Sequence, residues 1–144
     1  MIKFVDVETP YMGKTEDESR RNILYARACV RDCLLRDEIP FASHLFFTQP
    51  GILDDNVPKE REKGIRAGKS IIESLPRIIT VVYENLGIST GMQYGINRAK
   101  ENGRTVEFRS LENGWAEKEL VIARKHSHAY IWGVNLPDVI EHNP

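Results

Sequence analysis

Cysteine is nearly absent: Cys29 and Cys33 are the only two in 144 residues. They stand four apart in a segment patterned as helix, so they share a face. Helical neighbours at that spacing are poorly placed for a disulfide, and the spacing is not that of a zinc ribbon. The pair reads as two reduced, half-buried thiols, which fits a cytosolic compartment. Long apolar runs are missing as well. No stretch approaches the ~20 apolar residues of a membrane span, and the opening Met1-Ile2-Lys3-Phe4-Val5-Asp6-Val7-Glu8 lacks the apolar run of a secretory leader. Charge of one sign is lacking too. The 20 Lys and Arg residues nearly balance 21 Asp and Glu, leaving a net charge of -1. No global field therefore draws the chain to a nucleic acid polymer or a membrane surface. Histidine is scarce, and His126 and His128 fit neither a helical i,i+4 pair nor a zinc signature, so no metal and no cofactor is expected. What is left is the composition of a cytoplasmic globular protein. At 41% hydrophobic and 28% charged residues it can build one core, and its length is close to the commonest for one domain.

The patterning alternates strand and helix. Residues 2–7 are short and β-rich, and Thr9-Pro10-Tyr11-Met12-Gly13 is a turn. Thr15-Glu16-Asp17-Glu18 carries a capping-box pattern, threonine followed three residues on by glutamate. It predicts a helix to about Arg36, with Ile23, Ala26, Val30, Cys33 and Leu34 as the buried stripe. Residues 39–44 read as a second strand. The irregular stretch 45–57 is rich in aromatic and aliphatic residues, which marks a functional loop rather than a disordered one. Pro58 suits the first turn of another helix, whose apolar face is Ile65, Gly68, Ile72 and Leu75, and Pro76 stops it. Ile78-Ile79-Thr80-Val81-Val82-Tyr83 is β-branched without alternation, the pattern of a parallel strand covered on both faces. A helix from Thr90 to Asn102 follows, with Gly103 as its C-cap, and then a strand over 104–108. The order predicts an α/β, flavodoxin-like or Rossmann-like three-layer sandwich with a four- or five-stranded parallel sheet. Residues 111–144 form an extension of this one domain. There 115–125 suits a helix and 129–134 a strand or docking segment. Trp115, Leu120, Val121, Tyr130, Ile131 and Trp132 suggest a homo-oligomer contact, most simply a dimer.

In open α/β sheets ligands bind beyond the carboxyl ends of the strands. The richest segment there is Glu84-Asn85-Leu86-Gly87-Ile88-Ser89-Thr90-Gly91-Met92, which leaves the most buried strand and opens a helix. Ser89 either caps that helix only, or joins Thr90, Gly91 and Met92 in an anion site at its N-terminus. Tyr11 either packs its turn or approaches a sugar. Asn22 is a solvated polar residue or lines the site. His44 is a hydrogen-bonded structural histidine or a ligand contact. Asp54 and Asp55 cap the following helix or serve the chemistry. Gly91 and Gly95 share a helical face, and a face kept bare suggests close approach of a ligand or another chain.

The run Ser89-Thr90-Gly91-Met92-Gln93-Tyr94-Gly95-Ile96-Asn97-Arg98-Ala99 resembles the motif of the nucleoside 2-deoxyribosyltransferase-like superfamily. Pro10-Tyr11-Met12-Gly13 resembles its sugar-side loop. Pro40-Phe41-Ala42-Ser43-His44 and Leu53-Asp54-Asp55 are similar to a phage and bacterial branch of uncharacterised members. The resemblance spans residues 2–111 and implies a small-molecule nucleoside or nucleotide ligand, held by Tyr11, Gly13, Asn22, His44, Ser89, Thr90, Gly91, Met92 and Gly95. It also implies cleavage of an N-glycosidic bond. Enzymes of that superfamily use a helical glutamate as nucleophile, and glycine, Gly95, stands at that position here. A carboxylate stabilises the oxocarbenium-like state of such cleavage. The expected substitutes are Asp54, Asp55 or Glu84, acting through direct attack of water on a nucleoside 5′-monophosphate. The alternative is a non-catalytic protein that senses or sequesters a nucleotide.

Overall fold

The computed structural model describes residues 1–116. Its centre is the unbroken β-branched run, which forms strand β3 (Ile79–Tyr83), with Thr80, Val81, Val82 and Tyr83 fully buried. Such a strand needs a neighbour on each edge and a helix on each face. Strand β1 (Phe4–Glu8) pairs parallel along one edge, from Val5 opposite Ile79 to Glu8 opposite Val82. Strand β4 (Val106–Arg109) pairs parallel along the other, and β2 (Ile39–Phe41) adds outside β1. The all-parallel sheet has the order β2-β1-β3-β4. Helix α1 (Glu16–Leu35) covers one face, while α3 (Pro58–Ser74) and α4 (Thr90–Glu101) stand on the other; the short α2 (Ser43–Phe46) follows β2. This is the expected α/β three-layer sandwich, with four strands. No helix among the described residues is long and apolar enough to cross a membrane.

The pleat sorts the core. Val5, Val7, Val81 and Tyr83 pack with Tyr25, Cys29 and Cys33 of α1. Val82 packs with Met92 and Ile96 of α4. Each such side chain removed from water contributes roughly 1.5–3 kcal/mol. The buried face of α1 runs Asn22, Tyr25, Ala26, Cys29 and Cys33, so the expected stripe is corrected. Leu34 lies at its margin, 56% exposed, and both thiols are fully rather than half buried. Residue Ile65 on α3 is likewise 53% exposed. Two strand ends also move. The first strand extends to Glu8, and the second stops at Phe41 because Ser43–Phe46 turns into α2, placing His44 on a helix rather than at a strand end. The loop after α2 is anchored through Phe47, edge-on to both Phe41 of β2 and Phe46 of α2. The C-cap of α4 is Asn102 rather than the predicted Gly103, which follows it in the left-handed conformation, φ 67°.

Of the extension, Trp115 packs within the chain, its ring edge-on to Tyr25 at 5.0 Å between centroids. Asn85 ties the same region together: it accepts from Tyr25 Oη at 2.7 Å and from the Leu111 amide at 2.8 Å. The rest of the expected helix over 115–125, the segment 129–134, His126, His128 and the apolar residues from Leu120 to Trp132 lie outside the described residues.

One ion cluster crosses the α1 face. Arg109 makes a two-pronged contact with Glu38, at 2.7 and 2.8 Å, and a further bond to Glu107 at 2.8 Å. Lys3 reaches Glu38 at 2.9 Å. The Arg109 and Glu38 side chains are only 8% and 5% exposed. Hydrogen bonding to Arg109 holds the Glu38 carboxyl well below its usual 4.5, at about 2. A depressed carboxyl contributes stability that is fully present above about pH 4.5 and is lost as pH falls toward 2. Removing one member of a buried pair strands the other. Glu38→Gln is therefore expected to cost roughly 3 kcal/mol in urea unfolding at neutral pH. It should also flatten the loss of stability on the acid side, and an unchanged acid slope would show that Glu38 does not titrate there.

Candidate functional site

Sheet order reverses between β1 and β3, and a cleft of about 440 Å³ opens there beyond the strand ends. Because Val5 and Val7 face α1, the alternate residues Asp6 and Glu8 face α4. Glu8, the last residue of β1, is half-buried and Asp6 is 3% exposed. Opposite Glu8 stands Gly95, in the second turn of α4. A Cβ built on Gly95 would come within 2.5 Å of Glu8 Cδ and 3.0 Å of Oε2. The bare helical face expected to admit a ligand or another chain thus admits a carboxylate of the same chain at Gly95. At Gly91 a Cβ would meet nothing closer than Ser89 Oγ at 4.0 Å, so that part of the face stays open to the cleft.

The two acids make no direct ion pair among the described residues. Thr80 Oγ1 donates to Asp6 Oδ2 over 3.4 Å, a long contact. Burial pushes Asp6 up to about 6, against the opposing fields of Arg104 and Arg98. Burial again, with the Asp6 charge added, pushes Glu8 up to about 8, opposed by the same arginines. Nε of Arg98, and Nε and Nη2 of Arg104, are buried without hydrogen-bond partners.

The cleft wall opposite β1 is the start of α4. Ser89 is its N-cap and accepts from the Met92 amide at 3.2 Å, while its own amide meets Met92 Sδ. The Thr90 and Gly91 amides have no acceptor among the described residues, which leaves them at a helix N-terminus open to an anion. Arg61 and Lys69 bring two cations from α3. From the loop after β1 comes Tyr11 and from α2 comes His44, edge-on at 5.6 Å. His44 Nε2 lies 2.7 Å from Thr9 Oγ1, and burial holds its imidazole down at about 4, so it is neutral at pH 7.

Of the residues singled out in the sequence, Tyr11, His44, Ser89, Thr90, Gly91, Met92 and Gly95 meet in this cleft. Asp54 and Asp55 line a neighbouring cavity of about 530 Å³ under the 48–56 loop, which shares Tyr11 with the cleft. Asp54 Oδ1 accepts from the Asn56 amide at 2.9 Å and so shapes its own turn; the N-cap of α3 is Val57. Asp55 Oδ2 is buried without a partner. Gly13 packs against the first turn of α1, donating to Ser19 Oγ at 3.1 Å, with no room for a side chain. Asn22 is buried and donates to the Tyr11 carbonyl at 3.1 Å, fixing the loop after β1 from behind. Glu84 is exposed and lies outside the cleft.

Sequence reasoning missed Asp6, Glu8 and Arg98. The signal for the acids was there: in Val5-Asp6-Val7-Glu8 two carboxylates alternate with two valines, and in a strand covered on both faces that sends both under a helix. Among the described residues no group of three metal-ligating side chains occurs.

A family model described as a domain of unknown function (DUF7768) matches residues 3–109. No curated protein matches the chain, and no solved structure does.

The Glu8–Gly95 contact generates a double-mutant test. Gly95→Ala should destabilise the fold by about 1–3 kcal/mol through overpacking. In a Glu8→Ala background the same change should be neutral or stabilising by up to ~1 kcal/mol, the helix propensity gained. Additive effects would show that the two positions do not touch. Glu8→Gln carries its own signature. An acid whose folded pKa is raised costs stability increasingly as pH climbs from its ordinary 4.5 to about 8, so the variant should lose that decline.

Proposed function

The chain belongs to the DUF7768 family, and from its cleft we propose that it binds a nucleoside 5′-monophosphate and hydrolyses its N-glycosidic bond with Glu8 as the working carboxylate. The observation that carries this reading is the Glu8 carboxylate filling the space over Gly95. The resemblance of 89–99 to the deoxyribosyltransferase-like superfamily gives that space its meaning, since those enzymes bring a helical glutamate to the anomeric carbon. Here β1 supplies the carboxylate and α4 makes room for it.

The chemistry follows from the parts. The phosphate is held by the free Thr90 and Gly91 amides with Ser89, and by the cations of α3, through charge-assisted bonds of about 1.5–3 kcal/mol each. The sugar then lies over Glu8. As the bond from C1′ to the base nitrogen breaks, positive charge grows on the ring, and the ionised carboxylate stabilises it. Water attacks C1′ and Glu8 takes its proton; the base leaves with the bonding pair and takes up a proton from solvent, to which Glu8 then returns its own. The products are free base and sugar 5-phosphate, as in hydrolysis by one water. General-base assistance of this kind is worth 10²–10⁴-fold.

A second reading has its own support. With Glu8 held up at about 8 and His44 neutral, the cleft at pH 7 is better supplied with hydrogen bonds than with a base, as suits a protein that senses or sequesters a nucleotide.

Incubation with a panel of nucleoside monophosphates, followed by detection of free base, separates the two. Base release should rise with pH and level off above about 8, where Glu8 is ionised. Glu8→Gln should lower it at least about 10²-fold without loss of binding. Recovery of every nucleotide intact from pH 6 to 9 would overturn the hydrolase and leave the binder. Ser89→Ala should weaken a monophosphate roughly five- to tenfold and the matching nucleoside much less; equal losses would remove the phosphate from the start of α4.

A further inference from the structure

Asp6 is the group that the proposed chemistry leaves unused. It is a carboxylate 3% exposed, in the middle of a central strand, with one long hydrogen bond from Thr80 at 3.4 Å. The fields of Arg104 and Arg98 favour its charge against its burial. It faces the same helix as Glu8, two residues along, where successive same-side residues of a strand stand about 7 Å apart. We propose that Asp6 is a positioning residue for Glu8: from below, its carboxylate repels that of Glu8, keeping it raised toward Gly95 and the cleft instead of drawn down to Arg104.

This rests on the reading of Glu8 as the working carboxylate. Without Asp6, the arginines whose fields act on both acids would face Glu8 alone. The buried, unpartnered nitrogens of Arg98 and Arg104 would then act on Glu8 without a second carboxylate to share their field. With Asp6 in place their charge is shared, and Glu8 keeps a higher affinity for its proton than an isolated carboxylate has. The other groups facing this space are Lys69 and Arg61 on α3, which favour ionisation. Tyr94 on α4, with Tyr11 from the loop after β1 and His44 on α2, also lines it. His44 stays neutral above about 4, so it carries no charge through the range in which Glu8 titrates.

The test reads Glu8 directly, in the full chain labelled with ¹³C at side-chain carboxyls and titrated by NMR, its signal assigned through its loss in Glu8→Gln. Asp6→Asn, nearly isosteric, should move the Glu8 midpoint down by about one pH unit, the order expected for removing a close like charge. Arg104→Met should move it up. A purely structural role would not move the two variants in opposite directions. The pH profile of base release should follow with the same signs. An unmoved Glu8 in Asp6→Asn, or shifts of one sign in both variants, overturns the proposal, and if Asp6→Asn fails to fold, a downward or absent shift in Arg104→Met does so. The two readings fail separately: opposed shifts without any base release sink the hydrolase alone, and base release with an unmoved Glu8 sinks the positioning role alone.

Discussion

Strand β1 has two neighbours and two faces, and the rest of the molecule is arranged around that constraint. Its pleat commits Val5 and Val7 to the α1 side. Asp6 and Glu8 have no alternative but the α4 side, because a slip of one residue would put both acids into the larger apolar cluster. The register with β3, Glu8 opposite Val82, then sets how far the second acid projects past the sheet. Helix α4 has to approach at that level to cover Val82 with Met92 and Ile96. Both demands are met without displacing the carboxyl where the helix carries no side chain as it passes the acid, and Gly95 is that position.

The arrangement is expensive on its upper side and secure elsewhere. Two acids pressed together in a poorly solvated layer favour their protonated forms, so the fold loses stability as they ionise. Glycine within a helix adds roughly 1 kcal/mol relative to alanine. On the opposite face the Glu38–Arg109 contact is two-pronged and fully engaged, Tyr83 Oη donates to Asp32 at 2.6 Å, and Asn85 joins α1 to the segment after β4. The engaged Glu38–Arg109 pair thus lies on the α1 face, and the partnerless nitrogens of Arg98 and Arg104 lie on the α4 face. Strained electrostatics in a cleft, supported by a well-bonded scaffold, is the pattern expected where binding or chemistry takes place.

Much of the fold was legible because it rests on local patterns: the β-branched run of β3, the Thr15 and Ser89 caps, Pro58 at the start of α3 and Gly103 after α4. The details that failed were tertiary. Leu34 has the right spacing for the α1 stripe but lies at its margin, and His44 follows a strand cut short by α2. The site was half legible. The start of α4 announced itself through Ser89, Thr90 and Gly91, and the resemblance of that segment fixed attention on Gly95. Periodicity then treated the glycine as an absence. That it is one half of a contact with residue 8, 87 positions earlier, follows only once β1 and α4 are brought to the same face. Asp54 and Asp55 were drawn in by their chemistry, and the loop that carries them lines a cavity that adjoins the cleft and shares Tyr11 with it.

The Glu8–Gly95 contact also orders the routes by which this sequence can change. A side chain at position 95 meets the far end of Glu8, so while glutamate occupies position 8 any such change has first to push the carboxyl aside. Position 8 is under no such bar, and can shorten first at a cost borne by the cleft alone. Descent from an ancestor of this design is therefore biased: a side chain regained on the helix costs less once the one on the strand has shortened, and the two residues should be inherited as a linked pair.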